Sequence, residues 1–256
     1  MSAHSVISCV CITRAKPKML KRAIECFVAQ SYLWKELIVV YDDDDISTIN
    51  FVRTYCHKAD EKIRFIGVNV IPKRTLGELR NIGIENATGT FICQWDDDDW
   101  YHVNRIEYQY NAIRNTPYQA SVMTQWLVFD AIDGNAYISN KRLWEGSILC
   151  SKSLIQQKQY EHVEMGEDTA VIDYLKINDN IREIDGRANL YIYIYHGSNT
   201  WNRAHWEEIF CCSLHLGKDA SDKIAAILKG EYGNEEASRI IDGLYNQKQI
   251  MSNPNF

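Results

Sequence analysis

Four consecutive aspartates, Asp96, Asp97, Asp98 and Asp99, stand between Trp95 and Trp100, directly after an apolar run at 90–95. Like charges packed this closely repel unless a cation or a set of donors neutralises them. Hard carboxylate oxygens suit Mg²⁺ or Mn²⁺. Magnesium takes few protein ligands and completes its shell with phosphate oxygens, so an aspartate turn of this kind points to a phosphate-bearing ligand. The ordinary reading of an Asp run is a solvated turn, and the flanking tryptophans and the position at a strand end weigh against it. A second acidic stretch, 42–45, follows an apolar run at 36–41, and Thr13-Arg14 follows another at 6–12. Neither acidic run has the Gly and Glu spacing of an EF-hand loop. Glu167-Asp168 opens a helical run, where such a pair ordinarily complements the helix dipole. His196 closes an aromatic run at 190–195, where a lone histidine is more often a hydrogen-bonded structural group than a ligand.

The elements that must position these residues alternate. Strand-like runs at 6–12, 36–41, 62–68 and 90–95 are separated by helical runs. The first of these begins at Pro17, with Met19, Leu20, Ala23, Ile24, Phe27 and Val28 at helical spacing. That alternation predicts a mostly parallel α/β sheet covered by helices, and ligands of such sheets bind beyond the carboxyl ends of the strands. Past residue 100 the pattern becomes α+β. It shows a helix at 103–114, strands at 120–132 and 135–143 around the Asp133-Gly134 turn, a strand at 145–150, a helix at 167–176, and helices from 201 onward.

With 256 residues, 46% of them hydrophobic, the chain can bury a substantial core. Its formal charge of -6 disfavours the basic face that nucleic acid requires. No apolar run approaches the roughly 20 residues that span a bilayer. Eight cysteines without a Cys-x-x-Cys pair, behind an N-terminus that lacks a signal pattern, point to a reducing, cytoplasmic setting.

Taken in order, residues 6–14, the run 35–40 before Asp42, residues 79–89 and the Asp run resemble family 2 glycosyltransferases over about 5–205. The resemblance implies a GT-A fold: a nucleotide-binding half at about 1–101, an acceptor half at about 102–215 and a helical extension at 216–256. It implies Thr13, Arg14, Asp42, Arg80, Asp96, Asp97 and Trp144 at a nucleotide-sugar donor, expected to be a UDP-sugar. It further implies a Mn²⁺ or Mg²⁺ site of Asp96, Asp98, Asp99 and His196, with Asp96 and Asp98 as the Asp-x-Asp motif. Asp168, beside Glu167, becomes the general base of an inverting transfer. Asp42 can accept from ribose hydroxyl or imide N–H groups. Arg14, where many relatives differ, can meet phosphate. Trp144 offers an indole face for a sugar ring, whereas Trp126 reads as core. The expected acceptor is a glycan or lipid-linked hydroxyl in surface-polysaccharide or glycoconjugate assembly, which would bring peripheral membrane contact. Two other functions share these residues: a nucleotidyltransferase, which lacks a Gly-rich triphosphate loop here, and a non-catalytic nucleotide-sugar binding module, which would not need Glu167-Asp168.

Overall fold

A computed structural model describes residues 4–56 and 61–251. Strand β1 (Ile7–Thr13) is buried along its whole length. Its side chains alternate between two cores, Ile7, Cys9 and Cys11 on one face of the sheet and Val10 and Ile12 on the other. Helix α1 (Pro17–Val28) carries Pro at its start, where the missing N–H costs nothing, and lays Leu20, Ala23, Ile24 and Phe27 on the first core. Strand β2 (Lys35–Asp42), helix α2 (Ile46–Cys56), strand β3 (Ile63–Val68), helix α3 (Leu76–Asn86) and strand β4 (Phe91–Gln94) complete a βα series. The parallel strands lie in the order β3-β2-β1-β4. Helix α3 begins with a capping box, in which the Thr75 hydroxyl accepts from Glu78 N and the Glu78 carboxylate accepts from Thr75 N. The α/β class and the four strand runs agree with the sequence pattern.

The second half departs from it. Residues 120–132 form two strands in two different sheets, not one. Strand β5 (Trp100–Tyr101) and helix α4 (Arg105–Ile113) precede β6 (Ala120–Met123), which joins the main sheet. After a break, β7 (Leu127–Asp130) and β8 (Asn135–Ile138) form a hairpin in a second sheet. The break is held open because Thr124 N bonds to Ile184 O while Trp126 N bonds to the Ser139 hydroxyl, so the backbone is satisfied by two different neighbours. The expected strand at 145–150 is a one-turn 3-10 helix, Glu145–Ser147, followed by β9 (Leu149–Ser151). Strand β9 runs antiparallel between β4 and β6. Helix α5 (Lys152–Lys158), helix α6 (Thr169–Ile177), strand β10 (Ile181–Ile184) and strand β11 (Tyr191–Tyr195) follow, and α6 starts two residues later than the pattern suggests.

Helix α7 (Arg203–Cys211), strand β12 (Leu214–His215), helix α8 (Lys218–Leu228) and helix α9 (Asn234–Met251) end the described chain. Ile224, Ile227, Ile241 and Tyr245 join the larger core. The Ser238 hydroxyl of α9 accepts from Val103 N at 3.1 Å, and Asp242 meets His102 at 3.2 Å and Asn189 at 2.7 Å. No helix of the described residues is long and apolar enough to cross a membrane.

Candidate active site

The carboxyl ends of β1 and β4, the 3-10 turn, the loop before α6 and the segment after β11 surround one cleft of about 560 Å³. Thr13, Arg14, Arg80, Asp96, Asp97, Asp98, Trp144, Glu167 and Asp168 all line it. Residues some 150 positions apart meet there because the β1 loop and the loop before α6 face each other across the cleft. Arg14 marks the junction: its Nε donates to Asp42 at 3.0 Å and its Nη1 pairs with Glu164 at 3.2 Å. Asp42 touches the cleft through Arg14 and is not among its lining residues. Its Oδ1 is buried with no hydrogen-bond partner among the described residues.

Arg80 ties the two carboxylate groups together. From the buried face of α3 it donates through Nε to Glu167 at 2.7 Å and through Nη2 to Asp96 at 2.8 Å. Asp168 is left beside that ion pair, at the N-cap of α6 but without a capping bond. The late start of α6 thus leaves its carboxylate uncommitted to the helix end. Burial, together with the neighbouring Glu167 charge, pushes the Asp168 carboxyl up to about 7, with Arg80 opposing. A carboxylate held there can exchange a proton near neutral pH.

The Asp run divides by partner. Asp98 Oδ2 accepts from Lys16 Nζ at 2.7 Å and lies 3.0 Å from His196 Nε2. Burial alone would raise the Asp98 carboxyl, but the His196 hydrogen bond and the Lys16 charge outweigh it and hold it below the usual carboxylate range. Burial and the Asp98 charge push Asp97 up to about 7. Asp99 does not belong with a metal. It precedes β5 and faces inward, where its carboxylate accepts from the Tyr191 hydroxyl at 2.6 Å and from Ile194 N at 3.0 Å. Both partners lie on β11, the antiparallel neighbour of β5, so Asp99 fastens the Asp turn to the second sheet. His196 is not among the lining residues, but its ring bridges Asp98 and the Ser198 hydroxyl, at 3.0 and 2.9 Å.

Trp144 also differs from expectation. It is buried, packed on Trp126 with ring centroids 4.7 Å apart, and covered by the Arg142 guanidinium at 4.1 Å. No broad indole face is left for a sugar there. Trp201 is the exposed indole of the cleft, at 38% exposure and stacked on His205 at 4.3 Å. Sequence reasoning missed Lys16, Glu164 and His205 as lining residues. For Lys16 a signal existed, since it lies in the same β1–α1 loop as Arg14, just before Pro17.

The loop before α6 is clamped by α3. Asn81 Nδ2 donates to Tyr160 O at 2.9 Å, Tyr160 N donates to Asn81 Oδ1 at 3.0 Å, and Gly77 N donates to Val163 O at 3.2 Å. A Cβ on Gly77 would lie 1.7 Å from Glu161 O and 3.2 Å from Glu167 Cβ. Gly77→Ala must therefore displace the segment that carries Glu167 and Asp168. We expect its turnover to fall on the order of 10²-fold, because small misplacements of reacting groups are costly. Measured kcat beside an unchanged circular dichroism spectrum checks this.

The fold is that of GT-A glycosyltransferases. S. aureus TarS in complex with UDP-GlcNAc superposes with a TM-score of 0.61 at 14% identity, over 98% of this chain and 74% of that one. The mannosyltransferase PcManGT from Pyrobaculum calidifontis, in complex with GDP-Man and Mn²⁺, gives 0.58 at 11% identity, over 98% and 77%. The chain belongs to glycosyl transferase family 2, whose model matches residues 5–174. EpsE of Bacillus subtilis (strain 168), which carries a provisional glycosyltransferase name, is 30% identical over 113 residues, 44% of this chain. This chain matches 40% of the length of EpsE.

Proposed function

We propose that the protein transfers a sugar from a nucleoside-diphosphate sugar, a UDP-sugar in the first instance, to a hydroxyl of a glycan or glycolipid acceptor with inversion at the anomeric carbon. The observation that carries this reading is the convergence of Asp96, Asp97 and Asp98 with Asp168 on one cleft, where Arg80 joins Asp96 to Glu167, the neighbour of Asp168. In this reading Asp42 and Thr13, at the ends of β2 and β1, hold the base and ribose. Trp201 supports the acceptor ring. Asp168 takes the acceptor hydroxyl proton as that oxygen attacks the anomeric carbon and the bond to the diphosphate breaks, releasing a nucleoside diphosphate.

Asp98 and His196 fit part of a divalent-cation site. Among the described residues no three carboxylate, His or Cys groups gather into a complete ligand set. A pair such as Asp98 and His196 suits a cation that takes its remaining ligands from a diphosphate. When bound, Mn²⁺ or Mg²⁺ supplies positive charge for the departing diphosphate. Asp96 would approach it only from the carboxylate oxygen not held by Arg80.

Thermal unfolding with UDP, GDP or their sugars, each with and without Mn²⁺, tests the donor site. Ligand at about 100 times its Kd stabilises by roughly 2.7 kcal/mol. The expected result is a nucleotide-dependent rise that needs the cation and disappears in Asp98→Ala. A rise indifferent to both would remove Asp98 from donor binding, and no rise with any nucleotide would end the transferase reading.

A further inference from the structure

Lys16 stands where a cation would approach Asp98. Its ammonium is 2.7 Å from Asp98 Oδ2 and 3.8 Å from Asp97 Oδ1, its side chain is 24% exposed, and it lines the cleft. Its charge faces both carboxylates at once, which favours the ammonium form. The oxygen it occupies is also the one His196 touches. Asp98 is fixed from behind as well, its main-chain oxygen accepting from Arg22.

We infer that Lys16 is the resident counter-ion of Asp98. It keeps the donor-free site from taking up a divalent cation and transfers its charge to the donor diphosphate when cation and nucleotide arrive together. The inference rests on the reading of Asp98 as a cation ligand. Two positive charges cannot share one carboxylate oxygen at these distances without strong repulsion. A flexible lysine can swing from carboxylate to phosphate, since its ammonium is a point charge on a long stem. Binding of a free cation then carries the cost of displacing Lys16, whereas binding with a diphosphate gives the ammonium a new partner.

The test uses the donor-free protein and Mn²⁺ alone, with bound metal followed by loss of the free-ion electron paramagnetic resonance signal. Lys16→Met is expected to bind Mn²⁺ at least tenfold more tightly than the native chain, and Lys16→Arg, which keeps the charge, to bind it as the native chain does. With UDP and Mn²⁺ present, Lys16→Met is expected to bind UDP several-fold more weakly. Equal or weaker Mn²⁺ binding in Lys16→Met, or equal tightening in Lys16→Arg, overturns the inference. The double variant Lys16→Met with Asp98→Ala separates the two readings. If it loses Mn²⁺ binding while the Lys16 variants behave like the native chain, only the role of Lys16 falls. If it binds as tightly as Lys16→Met, Asp98 is not the ligand and both fall.

Discussion

Asp168→Asn is expected to lose sugar transfer by at least 10²-fold while still showing the nucleotide-dependent rise in melting temperature. Amide for carboxylate preserves shape and removes the proton acceptor, and general-base contributions commonly reach 10²–10⁴-fold. Asp168 comes from the loop before α6, whereas Thr13 and Asp42 come from the ends of β1 and β2, so donor binding has no reason to follow it. The pH dependence supplies an independent check. A base must be deprotonated to act, so with the carboxyl at about 7 the native rate should climb through pH 6–8 and then level off. Stability runs the other way. A carboxyl raised from 3.8 to about 7 in the fold contributes stability below pH 4, and that contribution is lost as pH rises through 7. Asp168→Asn should therefore be more stable than the native chain at pH 8, by roughly 1–2 kcal/mol once the partly solvated cleft is allowed for, and should match it near pH 4. Urea unfolding at the two pH values measures this. An unchanged difference, or retained turnover, would remove Asp168 from the mechanism.

The second large effect concerns Arg80. Replacing it with Met leaves Glu167 and Asp96 without their shared cation, and Glu167 is itself only 4% exposed. Breaking a buried pair from one side typically costs about 3–5 kcal/mol, because an uncompensated charge remains. For a chain of this size that is a fall in melting temperature on the order of 10 °C. Lysine is a poor substitute, since it cannot bridge two carboxylates with a planar fork. Because Arg80 opposes the upward push on Asp168, its loss should also move the rising limb of the rate profile to higher pH in whatever activity survives. A melting temperature within a degree or two of the native value would show that the bridge does not organise the site.

The Asp turn with the strand that ends at it, and the Glu167-Asp168 pair with the helix that follows it, were visible in the chain because each is local. A short apolar run that stops at polar residues needs no partner to be recognised, and neither does the start of a helical run; these placed Thr13 and Asp96 near strand ends and Asp168 near a helix start. The fate of individual side chains was not visible, because it depends on neighbours far away in sequence. Asp98 and Asp99 are chemically identical and adjacent. Yet Asp98 meets Lys16 and His196 in the cleft while Asp99 is consumed by Tyr191 and the backbone of Ile194. Nothing in a run of four aspartates marks which one faces inward. The same holds for tryptophan: Trp144 was expected to offer its face to a sugar ring, but the ring found Trp126 and Arg142, and Trp201 kept an open face.

Composition and hydrophobic periodicity were thus enough to establish the α/β class, the parallel strands of the first half and the rim on which the chemistry gathers. They reach that far because burial of a strand or helix face is written in residue spacing a few positions long. Which carboxylates are paired, that Arg80 joins one wall of the cleft to the other, that Lys16 pairs with Asp98 and that α6 starts late enough to free Asp168 follow only from packing. These depend on contacts between segments some 80 to 150 residues apart, and the energy of each is set by burial and by the charges around it, which a linear sequence does not contain.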